Sequence, residues 1–340
     1  MGKLAVKRRS DMKKRLYTIA LAAICAASCY PSYVGDYETV AAGFANQTDV
    51  RSVVVGESME FSTGIALGGA IENEETRRFG LGTDYSLVGD ALLASMKVHQ
   101  FSYIQQLMAG VERLQALPVD MYDVETESTR SGEACILKGS HLGSIVIRID
   151  DSFLEDEGNR LPKYVIPLRI TSSDGTDVID GMDYTVIGVH YESKLFGYWY
   201  HGGKVEVVDG SGNLVGTTVY ERTVPQADSK VWTLTTVAPY SVTANALTDG
   251  LSGSDAQMKL TLADDGSVTV EPVDGAPKVV EQDGECRFNN SKLLQDREIY
   301  LKYKYVSDGL TYHATDTLYF RNRIRDGVNE WQDENQNNYE

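Results

Sequence analysis

Apolar residues recur at every second position in one strand-length segment after another, and short Gly- and Asp-rich runs separate those segments. In Ser58–Leu67, Met59, Phe61, Thr63 and Ile65 fall on one face and Glu60, Ser62 and Gly64 on the other. Ile145, Ile147 and Ile149 alternate with Val146 and Arg148 in the same way. Tyr164–Thr171 and Tyr184–Tyr191 read as further strands, joined through a Ser-Ser-Asp-Gly-Thr turn, and Val40–Phe44, Arg51–Val55 and Cys135–Lys138 join the set. A period of two sends successive side chains to opposite faces of a pleated sheet, so such strands bury an apolar face by stacking one sheet on another. About seven strands in roughly 160 residues predict an immunoglobulin-like β-sandwich over residues 39–192. The 20 Tyr and 31 Gly, against 8 Pro, suit strands and turns better than helices.

One stretch departs from this period. Between Asp84 and Leu117, Leu87, Leu92, Met96, His99, Tyr103, Leu107, Val111 and Leu114 recur at spacings near three and four, and Pro118 ends the pattern. Residues 84–117 are expected to form a helix, or a broken pair of helices, inserted into the β-scaffold, with the Met and aromatic stripe as core.

After residue 192 the rhythm changes to consecutive strands with short turns. Gly203–Val208 and Leu214–Val224 flank Asp209-Gly210-Ser211-Gly212-Asn213, while Met258–Leu262 and Ser267–Val273 flank Ala263-Asp264-Asp265-Gly266. Lys230–Val237, Ser241–Ala244, Lys278–Val280, Glu298–Val306 and Thr311–Arg321 complete an antiparallel meander. The prediction for residues 193–332 is an up-and-down, barrel-like (calycin-like) domain, and residues 333–340 read as a disordered tail. The fold class expected is therefore all-β with one helical insertion.

The two halves meet in Tyr184–Lys204, where five rings crowd into Phe196–His201. The stretch is either the hinge between domains or a surface for flat ligands. Tyr198, Trp199 and Tyr200 have the chemistry to stack on sugar faces and to hydrogen-bond hydroxyls. On a strand, however, Tyr198 and Tyr200 face away from Trp199, so one set of rings must turn inward. Trp232 reads mainly as barrel core, and Trp331 as a plug or a rim residue of the barrel. The candidate ligand-binding residues are Tyr198, Trp199, Tyr200, Trp232 and Trp331.

Residues 1–28 read as a signal peptide: seven basic groups and Asp11, then the apolar run Leu16–Ala27, too short to span a bilayer. Ala26-Ala27-Ser28 before Cys29 resembles the lipobox of bacterial lipoproteins, which makes Cys29 the expected lipidation site and residues 29–38 a lipid-anchored tether. Cys135 and Cys286, far apart in sequence and in no Cys/His cluster, are expected to be buried free thiols. The net charge is −17 and becomes more negative once the basic leader is removed. An acidic body of this kind argues against nucleic acid as a partner and suits a neutral one, such as a glycan, better.

Catalytic signatures are absent. Asp180-Gly181-Met182-Asp183 resembles the start of a chitinase-like DGxDxDxE motif, but Thr185 and Ile187 occupy the later acidic positions, so the paired carboxyls of glycoside hydrolysis are missing. There is no nucleophile elbow, phosphate loop or HExxH pair. Asp150, Asp151, Glu155, Asp156 and Glu157 lack calcium-loop spacing and read as a solvated loop. No cofactor or metal is expected.

Six segments together resemble a known group: Arg51–Gly69, Leu161–Thr171, Phe196–Gly203, Trp232–Thr236, Asp265–Val270 and Tyr319–Trp331. The chain resembles two-domain lipoproteins of Bacteroidetes polysaccharide-utilisation loci, whose domains are catalogued as having unknown function. The 84–117 insertion departs from their usual pattern. The resemblance implies an outer-membrane lipoprotein facing the cell exterior, glycan-binding or accessory to a glycan uptake complex, with no catalytic residues to carry over. Three functions are thus expected in descending order: a non-catalytic binder of an oligosaccharide or polysaccharide, a protein–protein module contacting outer-membrane transporter components, and a cryptic glycosidase.

Overall fold

The computed structural model describes residues 39–222, 229–248 and 256–331. The leader, Cys29, the tether and the tail from residue 333 lie outside these residues. Residues 41–192 build two facing sheets. The first orders β10 (Asp177–Val178), β1 (Ala41–Phe44), β3 (Glu60–Gly68), β8 (Leu142–Ile149) and β6 (Tyr122–Thr126). The second orders β2 (Thr48–Val54), β11 (Tyr184–Glu192), β9 (Tyr164–Ser173), β4 (Arg77–Thr83) and β7 (Glu133–Ile136), with β5 (Gln115–Ala116) beside β9. The alternating residues do what their period requires: Phe61, Ile65, Ile145, Ile147 and Ile149 meet Ile166, Leu168, Ile187 and Val189 in one buried core.

The expected helical stretch is a broken pair, α1 (Asp90–Lys97) and α2 (Ser102–Met108), each too short to persist without tertiary packing. Leu93, Met96, Ile104, Met108, Val111 and Leu114 pack on Val50, Val165 and Val186, the outer face of the second sheet. The insertion therefore explains why β11 is buried from Thr185 through Tyr191: one face meets the sandwich core, and the other is covered.

Residues 197–330 form a second unit. β12 (Gly197–Val208) pairs with the protruding β13 (Leu214–Tyr220) and with β14 (Val231–Ala238). β15 (Ser241–Ala244), β16 (Met258–Leu262) and β17 (Val268–Pro272) continue the meander. β18 (Val280–Gln282) and β19 (Arg287–Asn289) share one side of β20 (Glu298–Ser307), β21 (Leu310–Arg325) returns to pair with β12, and β22 (Val328–Glu330) folds back on β21. The seam closes where the Val268 N–H donates to the Cys286 carbonyl (3.0 Å) and the Phe288 N–H to the Gly266 carbonyl (2.8 Å). This is an up-and-down barrel. Its interior is filled by Trp199, Trp232, Leu260, Ile299, Leu301, Tyr303, Tyr305 and Phe320. Cys135 and Cys286 are both free and buried.

The hairpin β21–β22 reaches out of the barrel to the sandwich. Its turn, Asp326-Gly327, has positive φ at both residues (53° and 77°), the geometry of a two-residue hairpin that favours Asp-Gly. The Asp326 carboxylate accepts from the Ser52 N–H (3.0 Å) and hydroxyl (3.0 Å), and Arg325 donates to the Ser52 carbonyl (2.8 Å). A Cβ on Gly327, which adopts a φ of 77°, would stand 3.0 Å from the Tyr103 ring of α2, so a larger residue there would push that ring back from the hairpin. Nearby, Glu57 on the turn after β2 pairs with Arg297 (2.5 Å) and Arg323 (3.0 Å).

Candidate ligand face on the barrel

β12 sorts the ring cluster by alternation. Trp199 and His201 point into the barrel, and Tyr198 and Tyr200 point out, half-buried. Trp199 is fully buried; its indole N–H donates to the Leu195 carbonyl (3.1 Å), and it meets Phe320 edge-on at 5.3 Å. Trp232, opposite Trp199 on β14, is also buried and stacks on His201 at 4.8 Å. Neither tryptophan can reach a ligand at the surface. Trp199 and Trp232, both candidate ligand-binding residues by sequence, are barrel core; for Trp232 core was also the main reading from sequence. Trp331 is 55% exposed beyond β22, so it does not plug the barrel.

Beneath the inward face lies a closed polar cluster. Asp316 accepts from the Tyr303 hydroxyl (2.7 Å) and the Thr248 hydroxyl (3.1 Å), and its carboxylate is 3.2 Å from His201 Nε2. Burial and the Asp316 charge push the Tyr303 hydroxyl well above its ordinary pKa. Gly203, at φ 147°, makes room for this carboxylate, since a Cβ there would lie 2.6 Å from Asp316 Oδ1 and 2.4 Å from the Thr315 carbonyl oxygen. All four polar side chains are shut away from solvent.

The outward face carries a row of rings that the sequence scatters widely. Tyr200 on β12 lies directly opposite Tyr319 on β21. Tyr319 lies opposite Glu298 on β20, which places Tyr300 diagonally beside it. Arg287 on β19 lies opposite Tyr300. Each tyrosine has an arginine over its ring: Arg321 at 5.9 Å from the Tyr200 centroid, Arg222 at 4.4 Å from Tyr319, and Arg287 at 4.7 Å from Tyr300. The Tyr300 hydroxyl donates to Glu298, and that bond, with some burial, raises the Tyr300 pKa.

At Arg287 and Tyr300 the row runs into an open groove of about 790 Å³ at the barrel seam, lined also by Thr269, Gln282, Glu285 and Asn289. Amides, a hydroxyl, a carboxylate and a guanidinium beside a ring supply both donors and acceptors for hydroxyl-rich ligands. Of the residues expected from sequence, Tyr198 and Tyr200 stand on this face. Tyr300, Tyr319 and Arg287 join through strand register, and Arg222 and Arg321 through their contacts with the rings. Among the described residues no group of three or more His, Cys, Asp or Glu gathers as a metal site.

The chain matches no protein-family model and no curated protein. Among solved structures it is similar to a Bacteroides ovatus protein of unknown function at 20% identity and a TM-score of 0.59, covering 88% of this chain and 98% of that one. It is more distantly similar to a multidomain protein including DUF1735 from Bacteroides ovatus (13% identity, TM-score 0.40, 85% and 99% covered). An auxiliary nutrient binding protein from Bacteroides thetaiotaomicron stands at 14% identity and a TM-score of 0.38, with 83% of this chain and 95% of that one covered. At these identities the first likeness establishes a shared two-unit β-fold, and the other two carry no argument about this chain.

Proposed function

We propose that this protein is a non-catalytic glycan-binding lipoprotein whose ligand lies across the outer face of the barrel. The observation that carries the reading is the row Tyr200, Tyr319 and Tyr300, half-buried and therefore rigid, leading into a polar groove. Rigid rings flanked by polar groups suit sugars, which present both C–H faces and hydroxyl edges. Cys29 carries the lipid that holds the chain to the outer membrane facing outward, and the sandwich serves as spacer. The test is affinity electrophoresis and calorimetry of the mature chain on a polysaccharide panel, with Tyr319→Ala as control. Retardation by at least one polysaccharide that the variant loses is expected; no retardation on any member overturns the reading. Labelling with an alkyne fatty acid, abolished in Cys29→Ser, tests the anchor separately.

A second reading has its own observation. Among the described residues strand β13 pairs with β12 alone, and it exposes Leu214, Val215 and Val219. As a protein–protein module of an uptake complex, the chain would add a partner strand there. A co-purifying membrane component lost on Val219→Lys, without any glycan affinity, would favour this reading. Release of reducing ends from the glycan panel would instead assign a glycosidase.

A further inference from the structure

We propose that the ligand of the tyrosine row is an anionic polysaccharide, one bearing carboxylate or sulfate-ester groups. This rests on the glycan-binding reading above and names the class of glycan. Arg222, Arg287 and Arg321 are exposed, and each lies over the ring of one member of the row. Stacking occupies the flat face of a guanidinium and leaves its in-plane N–H donors free, the arrangement that forks a carboxylate or a sulfate. It covers one face of each ring and sets a cation beside the part of the ring that a sugar can still reach.

Five other arginines set the contrast. Arg148, Arg169, Arg297, Arg323 and Arg325 are each held by a carboxylate. Acidic residues outnumber basic ones 49 to 32 in this chain, yet among the described residues none of the three row arginines makes an ion pair or a hydrogen bond through its side chain. The acids near the row are partly engaged: Glu298 accepts from Tyr300, and Asp265 at the groove accepts from Ser267. Glu285 lines the groove wall, and Lys302, exposed beyond Tyr300 on the same face of β20, adds a further cation. The row crosses β12, β21, β20 and β19, roughly 14 Å at about 4.8 Å per strand, room for more than one sugar ring.

The acidity of the whole chain argues for a neutral partner only at long range. At physiological salt the Debye length is about 8 Å, so the charges that touch the ligand decide the contact. At the row itself Arg222, Arg287, Arg321 and Lys302 stand against Glu285 and Glu298, and the distant carboxylates count for little.

The experiment compares matched polymers by calorimetry: polygalacturonate against its fully methyl-esterified form, and chondroitin sulfate against desulfated, carboxyl-reduced chondroitin. The expected result is at least about tenfold tighter binding of an anionic member than of its neutral counterpart, weakening as salt rises. The triple variant Arg222→Gln, Arg287→Gln, Arg321→Gln removes that preference; all three sites are exposed, and unchanged thermal unfolding confirms the fold. Preference for polygalacturonate alone or chondroitin sulfate alone supports the proposal and identifies the anionic group. Equal or tighter binding of the neutral forms, still lost in Tyr319→Ala, overturns the anionic assignment and leaves the glycan-binding reading standing. Binding of no polymer, anionic or neutral, overturns both.

Discussion

Glu57 on a turn of the sandwich is bonded to Arg323 of the barrel, 266 positions away in the chain, through both carboxylate oxygens at 3.2 and 3.0 Å. Arg323 also holds Glu330 on β22, and Arg297, just before β20, pairs with Glu57 as well. The two units are thus joined by a small, nearly dry charge network next to the β21–β22 hairpin. Such a network fixes orientation, because removing one member leaves its partners charged and desolvated.

Glu57→Ala should therefore destabilise strongly, by about 3 kcal/mol, since it strands Arg297 and Arg323. Burial pushes the Glu57 carboxyl up, but the charges of Arg323 and Arg297 outweigh it and hold the group below the usual range. A depressed folded pKa contributes stability that is present above the unfolded value and lost as pH falls through the folded one. Urea unfolding at pH 7 and below pH 4 checks both points: the wild type should lose part of its advantage over the variant in acid. Separation of one unfolding transition into two would report that the units had come apart.

A second pH dependence comes from Glu192 and His190 at the end of β11. Burial raises Glu192 to about 7 and lowers His190 to about 4, so both groups are neutral in the fold near pH 6. The His190 ring nitrogens stand 4.0 Å from carboxylates of Glu192 and Asp326, too far for a hydrogen bond to either. For Glu192, whose folded pKa is raised, stability is full below the ordinary 4.5 and is lost as pH rises toward 7. For His190, whose folded pKa is lowered, stability is full above 6.5 and is lost as pH falls toward 4. Each shift corresponds to about 3 kcal/mol at its limit. Melting temperature against pH should rise toward an intermediate optimum; Glu192→Gln should flatten the alkaline limb and His190→Phe the acid one.

How far this architecture could be read in advance differs between its parts. Period-two alternation was enough to split Trp199 from Tyr198 and Tyr200. It could not say which set faces inward, because that depends on how the sheet closes. In β20 the phase of Ile299 and Leu301 marks Tyr303 and Tyr305 as interior and Tyr300 as exterior, a signal available in the sequence and easy to miss among so many tyrosines. The neighbours of Tyr300 were not available, since Tyr200 and Tyr319 meet only through pairing registers. The Asp326-Gly327 dipeptide was a legible hairpin turn, but its docking on Ser52 is a tertiary fact. The burial of β11 on both faces was less legible, because Thr185 and His190 interrupt its apolar residues and the cover over its outer face comes from the helical insertion.

Gly203→Ala tests the inward side of β12. The residue adopts a φ of 147°, and an added Cβ would press the Thr315 carbonyl and the Asp316 carboxylate. Loss of about 2 kcal/mol or more is expected by chemical denaturation, from strain and from displacement of Asp316 off Tyr303 and Thr248. A variant as stable as the wild type would mean that β12 can shift against β21 without loss.

The two faces of β12 make opposite predictions for adjacent rings. Trp199→Ala empties a site bounded by Phe320 and Phe288 and orphans the Leu195 carbonyl, so it should cost about 3–5 kcal/mol of stability. Any effect on glycan binding should then follow from the fraction unfolded alone. Tyr200→Ala removes a half-buried exterior ring and should cost about 1 kcal/mol or less, because its loss opens no interior cavity. Its effect should fall on binding, by about tenfold, as truncation of one stacking ring in a row of three. Denaturation and calorimetry on the same two preparations separate the cases. If Trp199→Ala stays folded yet loses the ligand while Tyr200→Ala keeps it, the ligand enters the barrel, and the outer row is a structural ladder of tyrosines and arginines.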